Sequence, residues 1–307
     1  DLIVDIWGLG LGEGLILLLI GKLLNKPVIK YTADMGPFKT KRDGFFAKFY
    51  LNNIDLIFAR SETTKKNILD LGITTPILVC PDTAFLLEGV PSSKSETLRQ
   101  EKSKKTTLVG ISVSHIADRK ERNKDNYVTM MAKITDYLIR KVNAFVVLIP
   151  NEIFLNKYDD VYVARKIYEK VNDKSNVMLL TEECSASELK GIIRKCNLFI
   201  GARYHSIVAA TSMLIPTLAI SWHYKYHEVM KLMGQEEYVC DIESLNFAEL
   251  RKKTDTLWEN REKIKAEMAS RIPFIKESVL SGGKMVKAML DAKKRQRKFC
   301  AHAQESV

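Results

Sequence analysis

Arg203, His205 and Lys225 fall in the short links after two strand-like runs, residues 197–200 (NLFI) and 216–220 (PTLAI). Each run flows into a helix pattern, residues 206–213 and 227–233. In a parallel α/β sheet the links after strands gather at the carboxyl edge, where ligands bind. His205 is expected near the first turn of its helix, where unpaired N–H groups and the dipole favour an anion. Two permanent cations and an imidazole at that edge suit a small, highly charged acid. The plainer alternative is a solvated arginine, a solvated lysine and a surface histidine. Arg60 repeats the pattern, directly after the buried-strand run 55–59 (DLIFA). Its planar fork suits carboxylate or phosphate. Ser61 is placed to cap the helix over about 63–71, which closes on Gly72.

The elements that must position these side chains alternate along the chain. Its 307 residues predict two domains. In the first half, 2–6, 27–31, 55–59 and 77–79 read as strands, with helices at 15–24 and 44–52. The polar, charge-dense stretch 91–105 (PSSKSETLRQEKSKK) reads as a linker. A second series follows: strand 107–113, helix 126–141, strand 144–149, helix 160–172, strand 177–180 and helix 187–195. Ser185 or Ser187 with Glu188 is a capped start for the last of these. The final sixty residues read as helical and amphipathic. The expected division is a partial N-terminal Rossmann-like domain over 1–92, a second over 106–245, and a helical extension with a basic tail over 246–307. The fold class is α/β with parallel sheets.

Composition bounds the function classes. A chain 46% hydrophobic and 28% charged is that of a soluble globular protein, and no run reaches the roughly 18 apolar residues of a membrane span. The chain opens at Asp1 directly into a strand, which reads as a truncated N-terminus with an exposed sheet edge or apolar patch. The five cysteines lack C-x-x-C spacing, so buried thiols in a reducing cytoplasm are expected. His223 and His227 stand four apart, but no third ligand lies near them, and a metal is not expected. Gly8, Gly10, Gly12 and Gly14 miss the dinucleotide spacing. Of the net charge of +11, residues 247–307 carry 15 Lys/Arg against 8 Asp/Glu, a surplus of 7 that leaves 4 for the rest. The run 293–298 (KKRQRK) offers charge to an anionic membrane surface, and a solvated, frayed tail is the plainer reading. Without interleaved aromatics it does not suit nucleic acid.

Several of these segments together resemble the polysaccharide pyruvyl transferase family. KPVIKYTADMGPF (26–38), DLIFARSETTKKNILDLGI (55–73) and PDTAFLL (81–87) are similar to its first-domain motifs. VGISVS, LIPNE and the pair Asp159–Asp160 are similar to blocks of its second domain. IGARYHSIVAATSMLIPTLAISWHYK (200–225) is similar to its most specific signature, R-x-H followed by a lysine twenty residues after the histidine. The middle residue, often leucine in the family, is Tyr204 here.

The resemblance implies two Rossmann-like domains of glycosyltransferase-B type facing a cleft, with Arg60, Arg203, His205 and Lys225 at one site. It also implies transfer of enolpyruvate from phosphoenolpyruvate to sugar hydroxyls, leaving a pyruvate ketal and phosphate, and the expected acceptor is a glycan or a lipid-linked or nucleotide-linked glycan precursor. Arg60, Arg203 and Lys225 would bind the donor and His205 would move a proton. No metal or other cofactor is required on this account. A cytoplasmic enzyme is expected, with peripheral contact at the inner membrane face through the basic tail. Two rivals remain open: a sugar-nucleotide glycosyltransferase on the same fold, and a truncated, non-catalytic binding module.

Overall fold

The computed structural model describes residues 2–3, 11–38, 40–91, 107–120, 126–153 and 158–305. They form two compact units, one of residues 1–86 with 274–307, the other of residues 87–273. Each holds one all-parallel sheet.

In the first unit the order is β1 (Leu2–Ile3), β2 (Val28–Ala33), β3 (Leu56–Ala59), β4 (Ile77–Val79). Helices α1 (Leu11–Leu23), α2 (Lys41–Leu51) and α3 (Glu62–Asp70) connect these strands. Strand β3 is buried along its whole length, as expected for a strand covered on both faces. Val28, Tyr50, Leu51, Ile57 and Ile68 form a core on one side, and Ile29, Leu56, Phe58 and Cys80 pack on the other with Val286 and Met289. Strand β1 lies at the sheet edge, and Leu19, Leu23 and Leu24 of α1 and its end are exposed, as are Phe45 and Phe49 of α2.

The second unit has the order β10 (Val239–Asp241), β9 (Thr217–Ser221), β8 (Leu198–Gly201), β5 (Thr107–Ser112), β6 (Ala144–Ile149), β7 (Val177–Leu179). Its helices are α4 (His115–Lys120), α5 (Tyr127–Val142), α6 (Asp160–Lys170), α7 (Ala186–Ile193), α8 (Tyr204–Ser212), α9 (Lys225–Leu232) and α10 (Phe247–Glu259). The chain winds outward from β5 through β6 to β7, returns to the other side of β5 at β8, and winds outward again. That reversal makes a topological switch point between β5 and β8, and in such sheets ligands bind outside the carboxyl ends at that point.

Two sequence expectations need correction. The segment 246–307 is not a separate extension: α10 and the first part of α11 (Arg261–Glu305) belong to the second unit, while residues 274–307 belong to the first. The tail is also not frayed, because α11 continues helically through Lys293 and Arg295 and tolerates Pro273 in its interior. The linker expected at 91–105 lies almost wholly outside the described residues. Strand β10 and helix α4 were not anticipated. Among the described residues, no helix is long and apolar enough to cross a membrane.

Candidate functional site

Asp160, the first residue of α6, gathers the carboxyl edge of the second sheet. Its side chain is completely buried, and the preceding Asp159 does the capping, accepting from the Tyr162 N–H. Asp160 is therefore available to turn inward. Its Oδ1 accepts from the His115 N–H at 2.9 Å, past the end of β5. Its Oδ2 accepts from the N–H groups of Asn151 (3.2 Å) and Glu152 (3.0 Å), past the end of β6. Arg203, past the end of β8, closes the set with Nε at 2.8 Å from Oδ2 and Nη2 at 2.5 Å from Oδ1. One carboxylate thus ties together the links after three neighbouring strands, two of which flank the switch point.

Burial alone would push the Asp160 carboxyl up. The two-pronged bond to Arg203 and the donated N–H groups outweigh it and hold the group below the ordinary carboxylate value. Arg203 is moved upward by the same partners against its own burial. Its Nη2 also donates to Glu152 Oε2 at 2.8 Å and lies 2.9 Å from His115 Nδ1. The His115, Glu152 and Asp160 ligand atoms lie within 4.8 Å of one another, a grouping that suits a divalent ion by residue type. Here the Arg203 guanidinium already supplies the cation, and a metal would have to displace it.

Glycine permits this approach. A Cβ on Gly201, the last residue of β8, would stand 2.5 Å from Ile207 of α8, so only glycine lets α8 start so close to its strand. Arg203 then occupies the N-cap position of α8 in extended backbone, with its side chain committed to Asp160 and not to capping. Beneath it, Ser112 of β5, Ser206 of α8 and the Asn151 side chain form a buried triangle of hydrogen bonds at 2.6–3.1 Å.

His205 is in the first turn of α8, as the sequence predicts, and is exposed. Lys225 is not in a link but is the first residue of α9. Its ammonium sits over Tyr204 and Trp222, 5.3 Å from each ring centroid, and 6.0 Å from that of Tyr226. Tyr204 also meets the His205 ring edge-on at 5.4 Å. Tyr204, the position where the resemblance shows a departure, therefore touches both His205 and Lys225. Tyr226 and Trp222 fix this aromatic group to the sheet by donating to the Ala202 carbonyl at 3.1 and 3.2 Å. Arg203, His205 and Lys225 all lie in the second unit past the ends of the neighbouring strands β8 and β9.

Arg60 belongs to the first unit. It lies between β3 and α3, and Ser61 caps α3 as expected, accepting from the Thr64 N–H. Its Nη1 bonds Asp34 at 2.7 Å, and its Nε donates to the Thr32 carbonyl at 2.9 Å and lies 3.2 Å from Asp82. Sequence reading did not assign Asp34, Asp82, His115 or Asp160 a role. His223 precedes α9 while His227 bonds Asp241 at 2.7 Å, so the pair does not share a helix face. Cys80, Cys184, Cys196 and Cys240 are thiols and not disulfides, and burial pushes Cys240 up to about 12. A separate pocket at the ends of β6 and β7 is lined by Pro150, Asn151, Leu180, Glu182, Glu183 and Leu189, among others.

Residues 1–224 match the model of the polysaccharide pyruvyl transferase family, and Lys225 is the first residue after the match. The amylovoran biosynthesis protein AmsJ of Erwinia amylovora is 26% identical over 261 residues, covering 81% of this chain and 62% of AmsJ. The chain thus spans about three fifths of that relative's length. Among solved structures, HepE of Anabaena in complex with UDP-glucose superposes with a TM-score of 0.58 at 13% identity, covering 90% of this chain and 77% of HepE. The α,α-trehalose 6-phosphate synthase of Burkholderia multivorans gives 0.63 at 10% identity, covering 93% and 70%. These neighbours share the glycosyltransferase-B type of α/β fold with parallel sheets.

Proposed function

Because the chain belongs to the polysaccharide pyruvyl transferase family, we propose that it moves the enolpyruvyl group of phosphoenolpyruvate onto sugar hydroxyls of a glycan or glycan precursor, forming a pyruvate ketal. The observation that supports this reading is that Arg203, His205 and Lys225 follow the neighbouring strands β8 and β9 of one sheet, next to its switch point. Phosphoenolpyruvate concentrates a carboxylate and a phosphate on a three-carbon frame, which two cations can neutralise and orient. Lys225 offers its ammonium from an aromatic cradle. Arg203 keeps Nη1 without a bond among the described residues, while Nε and Nη2 are taken. Glu152, whose side chain is 43% exposed, holds Nη2 from the solvent side and is the partner an incoming anion would replace. His205 supplies a proton to the methylene carbon, and Arg60 serves substrate binding on the first unit.

The test uses the full-length protein with phosphoenolpyruvate and a glycan acceptor, following phosphate release and the ketal methyl signal. Saturable phosphoenolpyruvate binding with stoichiometric phosphate and ketal is the expected result. One observation favours a second reading, a sugar-nucleotide glycosyltransferase: the pocket at β6 and β7 carries Glu182 and Glu183, residue types that hold ribose hydroxyls. Binding of a nucleotide sugar with none of phosphoenolpyruvate would establish that reading instead.

A further inference from the structure

Ketal formation moves protons in two directions. The methylene carbon gains one, and each attacking hydroxyl loses one. His205 can serve one direction, and the switch point holds a second imidazole that sequence reading passed over. His115 begins α4, immediately past β5, with only 11% of its side chain exposed.

Its tautomer follows from a count of hydrogens. Arg203 Nη2 carries two, and they go to Asp160 Oδ1 and Glu152 Oε2. A guanidinium nitrogen accepts nothing. The nearby His115 Nδ1 therefore has one good partner, Asp160 Oδ1 at 3.0 Å, to which it must donate. That leaves the lone pair on Nε2. A buried carboxylate holding Nδ1–H is the arrangement that orients an imidazole as a base.

We propose that His115, positioned by Asp160, is the second acid–base group of the transfer, a role that rests on the pyruvyl transfer reading of the site. As His205 in its imidazolium form gives a proton to C3 of phosphoenolpyruvate, the first sugar oxygen bonds to C2 and His115 Nε2 takes that hydroxyl's proton. The C2–O bond to phosphate then breaks, and the phosphate leaves with the electron pair and the proton carried by His115. The second hydroxyl bonds to C2, and its proton restores His205. Both imidazoles finish as they began, with one ketal and one hydrogen phosphate formed.

The groups facing His115 are Asp160 of α6, Glu152 after β6, Arg203 after β8 and Tyr158, edge-on at 6.3 Å, whose ring also carries Arg119 at 4.9 Å. Asp118 lies on its own helix, and Tyr127 of α5, raised by burial, senses the Asp160 charge.

The experiment measures kcat and kcat/KM from pH 5 to 9, with phosphoenolpyruvate affinity by calorimetry, for the full-length wild type, His115→Gln, Asp160→Asn and His205→Gln. His115→Gln should keep donor affinity within about threefold and lose roughly 10²–10⁴-fold in kcat, the usual worth of acid–base catalysis. It should also lose one limb of the wild-type bell, and His205→Gln the other. Asp160→Asn should displace the His115 limb. Wild-type turnover and an unchanged bell in His115→Gln would overturn the proposal while leaving pyruvyl transfer intact. Should that variant not fold, His115→Asn is measured in the same way, and wild-type turnover in it would overturn the proposal. A wild type that binds no phosphoenolpyruvate removes the underlying reading and this inference with it.

Discussion

Arg60 follows β3 and Arg203 follows β8, each within two residues of the first turn of a helix, yet their surroundings divide their charge differently. Arg203 places Nε and Nη2 on the two oxygens of one fully buried carboxylate, Asp160. Arg60 spreads its fork over Asp34, Asp82 and the Thr32 carbonyl, and its side chain is twice as exposed, 16% against 8%. The Arg203 cluster includes a histidine, His115. Both arginines are thus anchored before any ligand arrives. The second-unit arginine is also wired into a titratable network that spans three strand ends.

The largest expected effect is on Arg203→Ala. It would leave Asp160 buried with backbone donors and the His115 imidazole but no permanent cation, and breaking a buried ion pair from one side costs about 3–5 kcal/mol. Arg60→Ala should cost less. Asp34 still accepts from the Thr64 hydroxyl and Asp82 from the Ala84 N–H, and water can reach the vacated space. Hydrogen exchange at the backbone N–H groups of His115, Asn151 and Glu152, all bonded to Asp160, reads the first variant locally. Equal losses in the two variants would erase the distinction between the sites.

Acid titration sharpens the same contrast. Asp160 has its folded-state pKa depressed from 3.8. Its contribution to stability is therefore complete above pH ~3.8 and is lost as pH falls through the lower folded value. Asp160→Asn should remove that acid-dependent part of the second unit's unfolding free energy and lower stability at neutral pH. An unaltered dependence below pH 4 in this variant would show that Asp160 does not carry it.

Much of this architecture was legible from the chain. Alternation of buried runs and amphipathic stretches places β4 and β6 at their observed bounds and most other strands within two residues. The Ser185–Glu188 capping box and the Ser61 cap form as read. Resemblance and strand-end position agree on four residues, and three of them follow neighbouring strands of one sheet. The partners stayed hidden because Asp160 meets Arg203 across 43 positions and His115 across 45, separations with no periodic signature. One signal was present in Asp159–Asp160: a helix start needs one capping acid, so the second invites a question about where it points. Helix α4 is only six residues long, too short for its pattern to stand out.

A smaller effect is expected on Glu152→Gln. This carboxylate competes for Arg203 Nη2 from a half-exposed position, where an ion pair is worth about 1 kcal/mol or less. Neutralising it should tighten phosphoenolpyruvate binding by up to roughly fivefold, with stability little changed. Weaker binding in calorimetry would mean that Glu152 supports the donor site and does not compete for it. No matching gain is expected at Arg60, whose two carboxylates are both buried.

The smallest effect tests the feature that most separates the second-unit site from the first, its aromatic floor. Tyr204→Leu installs the residue common at this position in the family resemblance. It removes one of the rings beneath Lys225 and the edge contact to His205, while Trp222 and Tyr226 remain around the ammonium. A cation–π contact in a partly exposed setting is worth about 0.5–1 kcal/mol. The expected outcome is a two- to fivefold rise in KM for phosphoenolpyruvate with kcat nearly unchanged, because the lysine keeps its charge and loses only some of its fixed position. A fall in kcat with KM constant would assign Tyr204 to His205 instead, since that pattern marks an interaction made in the transition state alone. Lys225→Met in the Tyr204→Leu background separates the two cases. If Tyr204 acts through the ammonium, its substitution should matter little once that charge is gone.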